Sequence, residues 1–135
     1  MLRLTETAYL QMIGHAYDCL PEEACGLMAG EYGGSHAPRF YACANDADSS
    51  KVYTVNTKDY LRAERDAEDS GHDIVGVMHS HTHTDAYPSP TDVRQAPDPA
   101  WHYVIVSLKY DAPVLRSYRI VDGNITEEQV VLDAE

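Results

Sequence analysis

The sequence predicts a single mixed α/β domain, and three observations carry that reading. Two short β-branched runs, "DIVGVMHSH" (73–81) and "AWHYVIVSL" (100–108), are apolar over most of their length, as central strands covered on both faces are. Two longer segments, 5–20 and 57–70, have helical composition and alternate with extended stretches instead of following them. At 135 residues, one core suffices, and the domain is expected to occupy residues 1–135.

The elements follow in chain order. After a short "LRL", Thr5 can cap a helix running to Leu20, with Leu10, Ile13, Tyr17 and Leu20 expected along one apolar face. Pro21 ends it. "EEACGLMAGEY" then reads as a strand whose glycines permit close backbone approach, "GGSHAP" as a turn, and "RFYACAN" as an antiparallel partner. Polar "DADSSK" interrupts the extended structure before "VYTV" resumes it. In "TKDYLRAERDAEDS", Tyr60, Leu61 and Ala67 form the apolar side of a second helix, which Gly71 stops. The central strand 73–81 delivers histidines at its C-terminal end, on the face expected for Val75 and Val77. "AWHYVIVSL", "VLRSYRIV", a turn at "DGN" and "ITEEQVVL" complete a mixed central sheet of six or seven strands, flanked by two or three helices.

Ten basic residues against 22 acidic ones give a formal charge of −12, which repels polyanions, so nucleic acid and anionic membrane surfaces are not expected partners. No stretch reaches the roughly 18 apolar residues of a membrane span, and the N-terminal segment lacks a signal-peptide pattern. A cytoplasmic location is expected. Cys19, Cys25 and Cys43 are odd in number and have no C-x-x-C spacing, so they are expected to be reduced and mostly buried.

The chemistry concentrates in "HSHTHTDAYPSPTD", residues 79–92. Residues two apart on a strand share a face, so His79 and His81 can present imidazoles to one ion. Ser89 precedes a proline at the first position of a helix, and Asp92, one turn in, can return an oxygen toward them. Three protein ligands around zinc leave the fourth position open, which favours catalysis over scaffolding. Spacing alone leaves a second set, His81, His83 and Asp85, equally open.

The order H-x-H, seven residues, S-x-x-D resembles the signature of the JAMM/MPN+ metalloproteases, and "EEACGLMAG" looks like that family's short E-x-x-G-x-x-x-G strand, with Glu23, Gly26 and Gly30 in its places. The resemblance implies an MPN domain with a cytidine-deaminase-like layout and one catalytic Zn2+ per chain, held by His79, His81 and Asp92. His83 then falls in the spacer. Glu23 would deprotonate the attacking water and pass the proton to the leaving amine. Ser89 would hydrogen-bond the oxyanion of the tetrahedral intermediate, besides capping its helix. Local pattern by itself does not choose between Glu23 and its neighbour Glu22.

Beyond the motifs, "PEEACGLMAG" and "LRSYRIVDGNITEE" resemble a compact bacterial branch of the family. That branch hydrolyses the bond between the C-terminal Gly-Gly of a ubiquitin-like sulfur carrier protein and an attached cysteine, in cysteine biosynthesis. The expected partner is therefore a carrier bearing a Gly-Gly-Cys adduct. Two rivals are a JAMM protease that trims another ubiquitin-like or sulfur carrier precursor and a non-catalytic MPN scaffold. Deaminase chemistry is excluded, since the H-x-E and P-C-x-x-C segments are missing. Selectivity is expected to lie around Tyr87 and in the loops 31–38 and 45–51.

Overall fold

Thr5 Oγ1 accepts a hydrogen bond from the backbone N–H of Ala8 at 3.0 Å, ending strand β1 (Leu2–Thr5) and starting helix α1 (Glu6–Asp18). The structure, a computed structural model, describes residues 1–47 and 49–134; Asp48, in the polar break after the first hairpin, and Glu135 lie outside them. Nine strands and three helices are formed by the described residues.

The main sheet has six strands: β2 (Cys25–Gly30), β4 (Arg39–Cys43), β5 (Asp73–His81), β6 (His102–Ser107), β7 (Val114–Val121) and β8 (Asn124–Glu128). Their order is β4-β2-β5-β6-β7-β8, antiparallel except for the central pair β5–β6. On one face lies an apolar layer of Leu4, Met12, Met28, Met78 and Val104, covered by α1. On the other, helix α2 (Thr57–Asp69) helps cover Leu27, Ala67, Val77, Tyr103 and Ile105. Both central strands are thus buried on both sides, as their unbroken apolar runs require.

Several expectations are corrected. The buried stripe of α1 is Ala8, Met12 and Ala16; of the expected face only Ile13 packs on the core, while Leu10, Tyr17 and Leu20 are exposed. Small residues let the helix axis approach the sheet, a preference that bulk-weighted periodicity does not register. On α2, Tyr60 and Ala67 face inward but Leu61 does not. Residues 22–24 precede β2 and do not form its first part, and "VYTV" makes one isolated bridge, Asn45 to Val55, instead of a strand.

The expected turn "GGSHAP" contains strand β3 (His36–Ala37), and the single strand expected over 125–132 is two elements, β8 and β9 (Val130–Asp133). β9 and β3 flank β1 in a parallel three-stranded sheet. Pairings between the two ends of the chain leave no local signature, so these additions account for the undercount of strands.

A register shift in β5 overturns one face assignment. Met28 pairs with Gly76 but Ala29 pairs with Ile74, so Val75 is an extra residue in its strand. The bulge turns Val75 into the α1-side layer, while Val77 stays on the α2 side. The histidines that follow therefore share a face with Val77 and not with Val75.

Candidate metal centre

β5 ends in His79, Ser80 and His81, all buried. The two imidazoles converge: His79 Nε2 and His81 Nε2 are 3.1 Å apart, and each is 3.2 Å from Asp92 Oδ2. Asp92 is held there by its helix start. Ser89 caps α3 (Pro90–Arg94), its Oγ accepting the Asp92 N–H at 3.1 Å, while Asp92 Oδ2 accepts the Ser89 N–H at 2.8 Å. This reciprocal capping box needs an acid or amide three residues after the serine, and here that side chain is shared with the histidines.

The donor set is suited to a cation. His81 Nδ1 lies 2.8 Å from the carbonyl oxygen of Asp85, which can only accept, so the proton sits on Nδ1 and Nε2 carries a lone pair. Two ring nitrogens and a carboxylate oxygen thus face one point. Tetrahedral ligands at 2.0–2.1 Å from zinc stand about 3.3 Å apart, close to the spacing found. Among the described residues, His79, His81 and Asp92 are the group of this kind.

Burial pushes the His79 imidazole toward its neutral, ligating form. At Asp92 burial opposes ionisation, but the Ser89 backbone N–H and the two adjoining imidazoles, which donate to it when Nε2 is protonated and no metal is held, outweigh burial and hold the carboxyl far below the usual range. The ring of Tyr53 stacks on His79, with centroids 4.5 Å apart. Nothing in the local pattern of "VYTV" marks that tyrosine, which reaches the site only through the fold.

Glu23 arrives along the antiparallel pair. Cys25 is opposite His79 in the β2–β5 register, and the pairing continues beyond β2: Ser80 N–H donates to Ala24 O at 3.0 Å and Ala24 N–H to Ser80 Oγ at 2.8 Å. One further step sets Glu23 across from His81. Its N–H donates to Ser49 O at 2.7 Å and its carbonyl accepts from Asn45 Nδ2 at 3.0 Å, so the backbone is fixed on both sides. Its own carboxyl takes no hydrogen bond from the described residues. Burial, opposed by His81, lifts its pKa to about 7. Glu22 is less buried and lines no part of the site.

A cavity of about 380 Å³ adjoins the metal group, lined by Glu23, His81 and Ser89 together with Ser50, Lys51, Thr82, His83 and Thr84. The Ser89 oxygen accepts from Asp92, which leaves its O–H free to donate into this space. His83 lies outside the converging group, exposed and paired with Thr82 Oγ1 at 2.8 Å. Of the loops expected to govern selectivity, 45–51 supplies the wall, apart from Asp48. Tyr87 is exposed and packs edge-on against Tyr118. The loop 31–38 is elsewhere: Gly30 pairs with Asp73, at the end of β5 about 20 Å from His79.

Residues 5–121 match the family described as prokaryotic homologs of the JAB domain. The chain is 43% identical over 120 residues to the CysO-cysteine peptidase of Mycobacterium tuberculosis strain H37Rv, covering 88% of this chain and 82% of that one. Among solved structures, it is similar to a protein from Desulfitobacterium hafniense, with a TM-score of 0.89 and 35% identity over 100% of this chain and 94% of the other. A JAB1/MPN domain protein from Archaeoglobus fulgidus shares the fold at 15% identity, with a TM-score of 0.62 over 98% of this chain and 97% of that one.

Proposed function

The chain belongs to the family of prokaryotic homologs of the JAB domain and is a peptidase, and from that premise we propose that it uses zinc to cleave after the C-terminal Gly-Gly of a ubiquitin-like sulfur carrier protein, releasing cysteine. The observation that carries this reading is the convergence of His79, His81 and Asp92 in a chain so similar to a CysO-cysteine peptidase. His79, His81 and Asp92 would hold the zinc, which would supply Lewis acidity and lower the pKa of water toward neutrality.

The remaining work falls to side chains of this protein. Glu23, with a pKa near 7, is poised to take a proton from the attacking water and return it to the leaving amine. Ser89 O–H donates to the oxygen on which negative charge develops. The Ala24–Ser80 hydrogen bonds and the contacts of Glu23 with Ser49 and Asn45 hold the base in register with the ligand strand, so orientation is built in before substrate arrives.

Cys19, Cys25 and Cys43 are free thiols, and among the described residues no helix is long and apolar enough to cross a membrane. The free thiols fit a reaction carried out in the cytoplasm, where thiols stay reduced.

Intact-mass analysis of a carrier protein ending in Gly-Gly-Cys tests the reading. Loss of the single cysteine, blocked by a zinc chelator, supports it. An adduct that survives a zinc-loaded preparation removes the cysteine-release reading and leaves another ubiquitin-like precursor, or a non-catalytic binding role, to be tried on the same site.

A further inference from the structure

Lys51 lines the cavity beside the metal group, and no carboxylate among the described residues is paired with its ammonium. We propose that Lys51 binds the α-carboxylate of the leaving amino acid and thereby selects a substrate that ends one residue beyond the scissile bond. The inference rests on the carrier-peptidase reading and names the group that sets its specificity.

Direction comes first. Glu23 returns a proton to the leaving amine, so that amine must lie within hydrogen-bond reach of the Glu23 carboxyl, in the cavity that Glu23 lines. In an α-amino acid the carboxylate is two bonds from the amine, which keeps it inside the same small space. At about 380 Å³ the cavity lies toward the small end of the range for small-molecule sites.

Charge makes the second argument. The protein carries a formal −12, and the two charges of a zinc held here would be balanced by Asp92 and Glu23, so a carboxylate entering the cavity needs a further cation to face it. Lys51 supplies that cation; Ser50, Thr82 and Thr84, which also line the cavity, are neutral, and the His83 ring there is paired with Thr82 Oγ1.

The lysine is also positioned relative to the base. Its N–H and that of Val52 donate to Ser49 Oγ at 3.0 and 3.3 Å. Ser49 O accepts from the Glu23 N–H at 2.7 Å, and Ser50 O accepts from Thr82 Oγ1 at 3.1 Å. The segment bearing Lys51 is therefore tied both to the residue carrying the base and to the residue following the second histidine. The backbone that carries the Lys51 side chain is thereby held in fixed relation to Glu23.

Two carrier adducts, ending in cysteine as the free acid or as cysteinamide, test this when cleaved by the wild-type protein, Lys51→Met and Lys51→Arg. The wild type should favour the acid by roughly 10- to 100-fold in kcat/KM, as expected for a hydrogen bond between charged groups. Lys51→Met should bring that ratio near one, and Lys51→Arg should retain most of it. Equal cleavage of acid and amide by the wild type, or a preference that survives Lys51→Met, overturns the proposal.

An independent readout is an NMR titration of the same protein with L-alanine and with L-alaninamide. The acid alone should shift the amide signals of Lys51 and Thr82, and Lys51→Met should abolish the effect. If alanine shifts these signals but no carrier adduct is cleaved, the carrier reading falls and the carboxylate site stands. If adducts are cleaved without preference and alanine shifts nothing, the site falls and the carrier reading stands.

Discussion

Ala24 and Ser80 exchange two hydrogen bonds, one through the backbone of Ser80 at 3.0 Å and one through its hydroxyl at 2.8 Å, and this exchange holds the Glu23 end of the chain against the histidine strand. Ser80 is fully buried. Ser80→Ala leaves the Ala24 N–H without an acceptor, which should cost about 1–3 kcal/mol in denaturant unfolding. Turnover should fall as well, with zinc content unchanged; full activity at reduced stability would show that the pairing does not position the base.

Glu23→Gln preserves size but removes the proton acceptor. The variant should bind zinc with wild-type stoichiometry in native mass spectrometry and lose roughly 10²- to 10⁴-fold in kcat. Retained turnover would take the general-base role away from Glu23.

The ligand register predicts opposite outcomes at two nearby residues. Asp92→Ala removes an oxygen from the converging group and one half of the α3 capping box, so the metal should be lost and stability should drop by about 1 kcal/mol. His83→Ala should keep one zinc per chain, because its imidazole faces Thr82 and solvent. Loss of metal from His83→Ala would show that the ligands are shifted by two residues.

His102, at the start of β6, is buried against Glu128, its Nδ1 2.7 Å from the carboxylate, which also accepts from Ser117 Oγ at 2.7 Å. Burial opposes ionisation of Glu128, but these partners and the Met1 amine outweigh it and hold its pKa below the ordinary value of 4.5. The folded pKa thus lies below that of the unfolded chain. The resulting stability is present above about pH 4.5 and lost as pH falls through the folded value. Urea unfolding from pH 7 to 3 should show this loss in the wild type, and Glu128→Gln, less stable at pH 7, should show a shallower one. An unchanged acid slope would exclude Glu128 as a source.

Gly30 ends β2 where a side chain would strike the carbonyl oxygen of His36 in the adjoining strand. Backbone cannot swing aside as a side chain can, so Gly30→Ala should destabilise by about 1–3 kcal/mol. Because Gly30 is at the opposite end of β5 from the histidines, zinc affinity of the folded fraction should be unaltered.

Features whose physics is local were legible in the chain. Alternation along a strand puts His79 and His81 on one face, and Ser89 followed by Pro90 and Asp92 writes a helix start that returns a carboxylate; both are interactions between residues at most three positions apart. The Thr5 and Ser89 caps and the two-sided burial of the central strands were readable for the same reason, whereas the Asn56 cap of α2 was not read. Tertiary structure decided what depends on partners distant in the chain. Pattern left Glu22 and Glu23 open; the pairing that runs on from Cys25 and His79 through Ala24 and Ser80 carries Glu23 toward His81. The bulge that separates Val75 from Val77, the turn of α1 onto Ala8, Met12 and Ala16, and the departure of β9 to join β1 all follow from packing against other elements. Tyr53 and Lys51 belong to no recurring spacing either. Tyr53 meets His79, and Lys51 comes to line the cavity beside His81, because the segment after β4 folds back over the end of β5, a contact whose loop-closure cost is met by the whole core and by no pattern within the segment itself.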